Sequence, residues 1–333
     1  MLALLLDEKL KLVEDYPTPE PPPGEALIRV SVAGVCNTDL ELVKGYLQFR
    51  GVPGHEFVGV VECAPGAEAW EGRRVAGEIN VACGTCPTCR ANRPTHCPNR
   101  TTLGISGRDG AFAEYLTLPI ANLHPVPDSI SDEVAVFTEP LAAACEIVQQ
   151  VHVRPTDRVI VVGDGKLGLL CAQVLALTGC DLTVVGRHPE KLEIVARQDI
   201  PTALDDAVVE EGADVVVEAT GHPGGYAAAR RLVRPRGIVV LKSTYHAPPQ
   251  SPPTLGGKFQ RSLDANLTMA VVDEITLVGS RCGPFAPALR LLERGLVQVA
   301  PLIQARYTLS EVLTAFERAA QPGTLKVLVA GEA

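Results

Sequence analysis

Four cysteines stand out as ligands. Cys83-x2-Cys86-x2-Cys89-x7-Cys97 sets four thiols in one loop, interleaved with Gly84, Pro87 and Pro98. Four thiolates at this spacing can close around a tetrahedral zinc, with sulfurs at about 2.3 Å, and such a closed site is structural. An iron–sulfur cluster draws on the same ligand type, and a metal-free loop is the plain alternative. The chain carries ten cysteines in all. Close-set cysteines in a reducing compartment read as a metal site before they read as disulfides; a cytoplasmic protein is expected because the apolar start Met1 to Leu6 reads as a first strand rather than a signal peptide.

A second set is dispersed. Cys36 lies in Gly34-Val35-Cys36-Asn37-Thr38-Asp39, His55 and Glu56 in Gly54-His55-Glu56, and Glu139 in Thr138-Glu139-Pro140-Leu141. Alone, each has an ordinary use: a small core thiol, a hydrogen-bonded imidazole, a helix opening with proline in its first turn. Together they offer sulfur, nitrogen and carboxylate donors, a set that can hold zinc with one position open to substrate.

A third pattern is Gly163-Asp164-Gly165-Lys166-Leu167-Gly168, which follows the apolar run Arg158 to Val162 and precedes an apolar helix. In that strand–turn–helix context a GxGxxG is a dinucleotide signal. The first glycine makes the turn, the second admits the pyrophosphate and the third lets helix and strand approach. The helix N-terminus attracts phosphate. The next strand ends Val185-Gly186-Arg187-His188, without the carboxylate that takes the ribose 2′-hydroxyl of NAD. Glycine there is read as room for a 2′-phosphate, and Arg187 as the planar fork that would bind it, with His188 or Lys191 assisting. The expected cofactor is NADP, with NAD possible.

These residues need elements to hold them. Up to about residue 125, short β-branched runs broken by Gly and Pro suggest an irregular β-barrel. The segment 17–24 is a stiff proline-rich connector. A helix is expected over 132–151. Strands near 158–162, 181–185, 213–218, 237–241 and 274–278 then alternate with helices near 167–178, 190–197 and 226–232, the pattern of a doubly wound parallel sheet. Residues 247–254 read as a loop, 287–293 and 310–321 as helices, and 326–329 as a last strand. The resulting domains are 1–140, with the metal lobe at 80–100, then 141–280, then a return over 281–333.

Composition narrows the class. With 46% hydrophobic and 21% charged residues the chain can bury a sizeable core, and with 4% aromatics that core must be mainly aliphatic. The net charge of −9 argues against nucleic acid or an anionic membrane as partner. No apolar run reaches the roughly 20 residues of a membrane span. Met1 to Leu6 reads as a first strand, because Asp7, Glu8 and Lys9 follow at once.

The motif order (Cys36 segment, Gly-His-Glu, four-cysteine lobe, Glu-Pro-Leu, glycine turn) resembles the zinc-containing medium-chain dehydrogenase family over essentially the whole chain. The nearest branch holds sorbitol, threonine and glucose dehydrogenases. The resemblance implies a Rossmann domain beside a GroES-like barrel, and two zinc ions per chain. It implies Cys36, His55, Glu56 and Glu139 at the catalytic zinc and Cys83, Cys86, Cys89 and Cys97 at the structural one. Asp39 would orient His55, and Cys145 would be structural. Thr38 would take the alcohol proton; Glu41 stands where some relatives have a relay histidine. Gly163, Gly165, Lys166, Leu167, Gly168, Gly186, Arg187 and His188 would bind the cofactor. Arg281, in Gly279-Ser280-Arg281, is grouped with them and in the polyol branch lines the substrate pocket. Tyr46 and Glu114 are weaker candidates for substrate hydroxyls.

The implied reaction is hydride transfer between NADP(H) or NAD(H) and a secondary alcohol, polyol or sugar, or the matching carbonyl. The alternatives are an amino-alcohol dehydrogenase of the threonine type, a non-catalytic zinc- and NADP-binding redox sensor, and a zinc-free quinone or enoyl reductase. The last is disfavoured by both cysteine sets. A homodimer or homotetramer is expected, with strands near 265–279 forming the contact.

Overall fold

The computed structural model describes the chain except residues 206, 208–210, 245–266 and 332–333. It divides into two compact units, Met1–Ala142 with Pro284–Ala333, and Ala143–Gly283.

The first unit is built on a seven-stranded sheet. Its spine is the long strand Glu25–Gly34, whose residues alternate between half-buried and buried as a strand with one face on a core must. It pairs antiparallel with Glu56–Cys63, Tyr115–Pro119 and Lys326–Ala330. Arg74–Gly77 and Leu123–Pro125 extend one side, and Ile303–Thr308 runs parallel to Lys326–Ala330 on the other. Ile28, Val58, Val61, Val75, Leu116 and Leu118 fill the core, each contributing about 1.5–3 kcal/mol relative to exposure. The N-terminal hairpin pairs Ala3–Leu6 with Leu10–Val13. A separate three-stranded sheet, Asn80–Val81, Thr101–Leu103 and Gly107–Arg108, carries the cysteine loop.

The helix expected over 132–151 is two helices, Asp132–Ala135 and Thr138–Gln150. Proline explains the break. Pro140 has no N–H for the carbonyl four residues back, while the Thr138 hydroxyl donates to the Ala135 carbonyl at 2.6 Å and satisfies an end group of the first helix.

The second unit is a six-stranded, all-parallel sheet in the order Thr202–Leu204, Asp181–Gly186, Arg158–Val162, Ala213–Glu218, Val233–Leu241, Thr276–Gly279. Numbered along the chain, that order is 3-2-1-4-5-6, the doubly wound arrangement whose strand order reverses at the first strand. Arg158–Val162 is central, and Val159, Ile160 and Val161 are fully buried, as a strand covered on both faces requires. One expectation changes here. Residues 267–272 form a helix, not a strand, so among the described residues Thr276–Gly279 is the strand of the region expected to make the subunit contact. Short apolar runs do not distinguish helix from strand by periodicity. The loop expected at 247–254 lies outside the described residues, as do 265 and 266.

Candidate functional site

The cysteine loop is shaped by two prolines. Pro87 starts the short helix Pro87–Arg90 directly after Cys86, and Pro94 starts a 3-10 turn that ends at Cys97. The Cys86 sulfur lies 3.5 Å from that of Cys89 and 3.7 Å from that of Cys97, and Cys97 lies 3.5 Å from Cys83. Four sulfurs about 2.3 Å from a tetrahedral zinc are about 3.8 Å apart, so the cluster is close to the required size. None of the ten cysteines is in a disulfide. Backbone N–H groups of Thr85 and Cys86, with the sulfhydryl of Cys97, pull the Cys83 thiol down to about 5. Burial, with Cys86 next, pushes Cys89 up to about 12. The donors around Cys83 favour its thiolate, the form in which cysteine binds zinc.

The dispersed set is brought together by sheet pairing. Gly34, at the end of its strand, is the register partner of Glu56, at the start of the next. That places Cys36 beside His55 and Glu56. Their ligand atoms lie within 4.8 Å of one another, with His55 and Glu56 buried and Cys36 half-buried. Cys36 is the N-cap of the helix Asn37–Val43. Asp39 in that first turn accepts the Cys36 amide at 2.8 Å with one carboxylate oxygen and turns the other to His55 Nδ1 at 3.2 Å. Asp39 is fully buried; its carboxylate holds the helix start by a hydrogen bond and faces the imidazole at ion-pair distance, without a hydrogen bond of good geometry. Burial opposes the charged form of His55, but the Asp39 carboxylate outweighs it, with Cys36 adding, and the ring is lifted well above its usual range. A metal would displace that proton and take the nitrogen that Asp39 leaves open. The donors present fit zinc: one sulfur, one oriented imidazole and a carboxylate in a buried corner.

Glu139 is not among the ligand atoms within that 4.8 Å group. It sits in the first turn of the helix Thr138–Gln150. Thr38 Oγ1 is 3.9 Å from the Cys36 sulfur, at the edge of the cluster. Sequence reasoning missed Lys326. Its ammonium forms an ion pair with Glu56, both side chains 1% exposed, and approaches the Val35 carbonyl at 3.4 Å and the Phe137 ring at 5.6 Å. Its only sequence signal is a lysine in an otherwise apolar strand, Lys-Val-Leu-Val-Ala.

The glycine turn is built as the motif requires. Gly163 has φ +126°, a backbone other residues avoid. A Cβ on Gly168 would overlap the Gly163 carbonyl oxygen, while one on Gly165 would meet nothing within 4 Å. Gly165 caps the helix Lys166–Ala176, so Lys166 and Leu167 supply its first turn. Open space above a helix N-terminus, between close-packed glycines, fits a pyrophosphate.

The end of the second strand differs from expectation. The room read beside Gly186 is filled. An ideal Cβ there would lie 2.5 Å from the Cβ and 2.6 Å from Oδ2 of Asp164, the middle residue of the glycine turn. Asp164 Oδ2 accepts the amides of Arg187 at 2.6 Å and His188 at 2.7 Å, and faces His188 Nδ1 at 3.0 Å. Burial raises its pKa, but the His188 amide and ring and the Arg187 amide reverse that and hold the carboxyl below its usual range. The Arg187 side chain is mostly exposed, 4.0 Å from Asp205.

The other expected residues are placed as follows. Glu41 pairs with Lys44 at 2.8 Å on the helix surface. Glu114 accepts the Leu2 amide at 2.6 Å and holds the N-terminal strand. Cys145 is buried, as is Lys191 in the helix Pro189–Ala196. Tyr46 opens the 3-10 turn Tyr46–Gln48. The Arg281 carbonyl accepts Lys242 Nζ at 2.7 Å.

Comparison with known proteins agrees with this construction. Residues 22–128 match the alcohol dehydrogenase GroES-like domain, and residues 132–330 match the glucose dehydrogenase C-terminus. The chain is 30% identical to L-galactonate-5-dehydrogenase of Escherichia coli K12, covering 96% of this chain and 95% of that one. It is 28% identical to sorbitol dehydrogenase of Halalkalibacterium halodurans, covering 95% and 94%. A zinc-binding dehydrogenase from Sinorhizobium meliloti 1021, solved with NADP, superposes with a TM-score of 0.82 at 27% identity over 99% of this chain and 98% of that one.

Proposed function

The chain belongs to the zinc-containing medium-chain dehydrogenase family, and from that premise we propose that it oxidises a polyol or sugar alcohol, or reduces the matching carbonyl, through a metal held by Cys36, His55 and Glu56. Hydride transfer with a nicotinamide dinucleotide is the reaction of the family. The observation that carries the residue assignment is the convergence of these three donors, from segments some twenty residues apart, into one cluster beside an oriented imidazole. The relatives named for sorbitol and galactonate support a polyhydroxylated substrate, as does a carboxylate at Glu139, where alcohol dehydrogenases of the liver type carry cysteine.

When bound, zinc supplies Lewis acidity and the nicotinamide supplies or accepts the hydride. The chain's own residues do the rest. Asp39 holds the His55 ring in one orientation. Thr38, beside Cys36, relays the hydroxyl proton of the substrate, accepting it as its own hydroxyl proton passes on to solvent. Lys326 neutralises Glu56 and keeps that carboxylate in place in a dry corner. Gly163, Gly165 and Gly168 with the first turn Lys166-Leu167 seat the pyrophosphate; Gly186, Arg187 and His188 flank the adenosine end. Glu139 is assigned to the metal as a further carboxylate donor, from the first turn of its helix outside the 4.8 Å group, and Arg281 is assigned to the cofactor. The closed loop Cys83, Cys86, Cys89 and Cys97 holds a second, structural zinc.

No helix among the described residues is long and apolar enough to cross a membrane. A cytoplasmic location is supported by ten cysteines without a disulfide. A homodimer or a tetramer of dimers is supported by the exposed apolar residues Leu267, Met269, Val271, Val272 and Leu277, on the helix 267–272 and the sheet-edge strand Thr276–Gly279. The test of activity is turnover of the zinc-loaded protein on a panel of secondary alcohols, polyols, aldoses and ketones with NAD(H) and with NADP(H). Absorbance change at the nicotinamide band with a polyol or sugar is expected; no turnover with any of the panel would falsify the assignment.

A further inference from the structure

We infer that Asp164, inside the glycine turn, is the carboxylate that reads the adenosine ribose and makes the protein prefer NAD(H) over NADP(H). The inference rests on the dehydrogenase reading and concerns the cofactor seat alone.

In doubly wound dinucleotide sites the acid that takes the ribose 2′-hydroxyl stands at the end of the second strand. This chain has glycine there. The structure shows why glycine is needed. The Asp164 side chain, arriving from the neighbouring turn, runs through the volume that a side chain on residue 186 would fill; its Cβ, Cγ and Oδ2 all lie 2.5–2.8 Å from an ideal Gly186 Cβ. The carboxylate has thus been moved from one strand end to the adjacent one, and its position is nearly that of the missing acid.

Its hydrogen bonding leaves it able to act. An ionised carboxylate offers about four acceptor positions. Oδ2 takes the Arg187 and His188 amides, and the His188 ring nitrogen is shared between Oδ2 at 3.0 Å and Oδ1 at 3.1 Å, so the remaining acceptor position is on Oδ1. These donors fix the group in one orientation, so that accepting a ribose hydroxyl requires no further ordering. The group is only 10% exposed in its side chain, yet it belongs to the turn on which the pyrophosphate sits. Charge then decides between the cofactors. A 2′-hydroxyl donates to a carboxylate; a 2′-phosphate meets a fixed negative charge and two backbone amides already taken. The Arg187 guanidinium is exposed and stands 4.0 Å from Asp205, so it offers a weakly ordered counter-charge.

The inference is tested by direct binding, with no substrate present. NADH and NADPH are titrated separately into the zinc-loaded protein and followed by nicotinamide fluorescence. Wild type should bind NADH at least about tenfold more tightly, the size of one ordinary charge or hydrogen-bond difference. Asp164→Asn should lower the ratio of the two affinities by about tenfold or more, mainly by improving NADPH. Asp164→Gly combined with Gly186→Asp returns the acid to the strand end and should restore the preference for NADH. A purely structural Asp164 would weaken both cofactors together and leave the ratio unchanged, which overturns the inference. Wild type binding NADPH as tightly as NADH also overturns it while leaving the dehydrogenase reading intact. Failure of wild type to bind either cofactor overturns both.

Discussion

At the scale of single residues, the Glu56–Lys326 pair shows how a chemically exposed-looking residue becomes part of a site. Both side chains are buried, 270 residues apart in sequence, and the ammonium also lies over the Phe137 ring. Removing one member of a buried pair leaves an uncompensated charge, at a cost of about 3–5 kcal/mol, whereas replacing both with neutral groups of similar volume is far milder. Lys326→Met should therefore destabilise the protein by about 3–5 kcal/mol in denaturant unfolding. The double variant Lys326→Met with Glu56→Gln should recover most of that loss. Additive losses would show that the two do not act as a pair. Cys36, His55 and Glu56 are legible in the sequence because their types announce metal chemistry. Lys326 is not, because lysine is by default a solvated residue, and only the strand pairing of Lys326–Ala330 with Glu25–Gly34 carries it to Glu56. Asp164 was equally hidden: its position in the glycine turn is legible, but the direction of its side chain is a property of the fold.

The elements divide in the same way. Strands buried on both faces, such as Arg158–Val162, announce themselves as continuous β-branched runs, and the glycine turn after it is marked by its own residues. What the pattern does not show is where backbone hydrogen bonding fails inside an apolar stretch, as at Pro140, or whether a six-residue apolar run such as 267–272 coils or extends. The glycine turn allows a sharper test, because its glycines serve different ends. A Cβ at Gly168 collides with backbone, which cannot yield, so Gly168→Ala should lower stability by about 1–3 kcal/mol as overpacked sites do, and cofactor binding with it. A Cβ at Gly165 meets open space within the protein and points where the pyrophosphate must come. Gly165→Ala should leave the melting temperature nearly unchanged while weakening NAD(H) and NADP(H) alike. Thermal unfolding beside a cofactor titration separates the two; equal effects on stability would contradict the assignment of distinct roles.

At the scale of the whole molecule, metal and dinucleotide belong to different parts of the chain. Both clusters able to hold a metal among the described residues, Cys83–Cys86–Cys89–Cys97 and Cys36–His55–Glu56, lie within Met1–Ala142, whereas the glycine turn and the strand end proposed for the cofactor lie within Ala143–Gly283. The parallel sheet of the second unit is filled by its own aliphatic residues, Ile160, Val162, Val185, Val216 and Val239 with Tyr226 and Leu232 from a covering helix, and no metal-ligand group lies in this unit among the described residues. Loss of metal should therefore separate two properties that turnover joins. Removing zinc with a chelator should abolish hydride transfer, a fall of at least about a hundredfold for a reaction that depends on Lewis-acid catalysis. It should leave NADH affinity within about threefold, because the dinucleotide contacts of the turn are made by backbone amides and a helix N-terminus. Metal analysis should show two zinc ions lost per chain, and restoring zinc should restore turnover. If cofactor affinity fell in step with zinc content, the nucleotide seat would depend on the metal-bearing unit, and the independence of the two would be refuted.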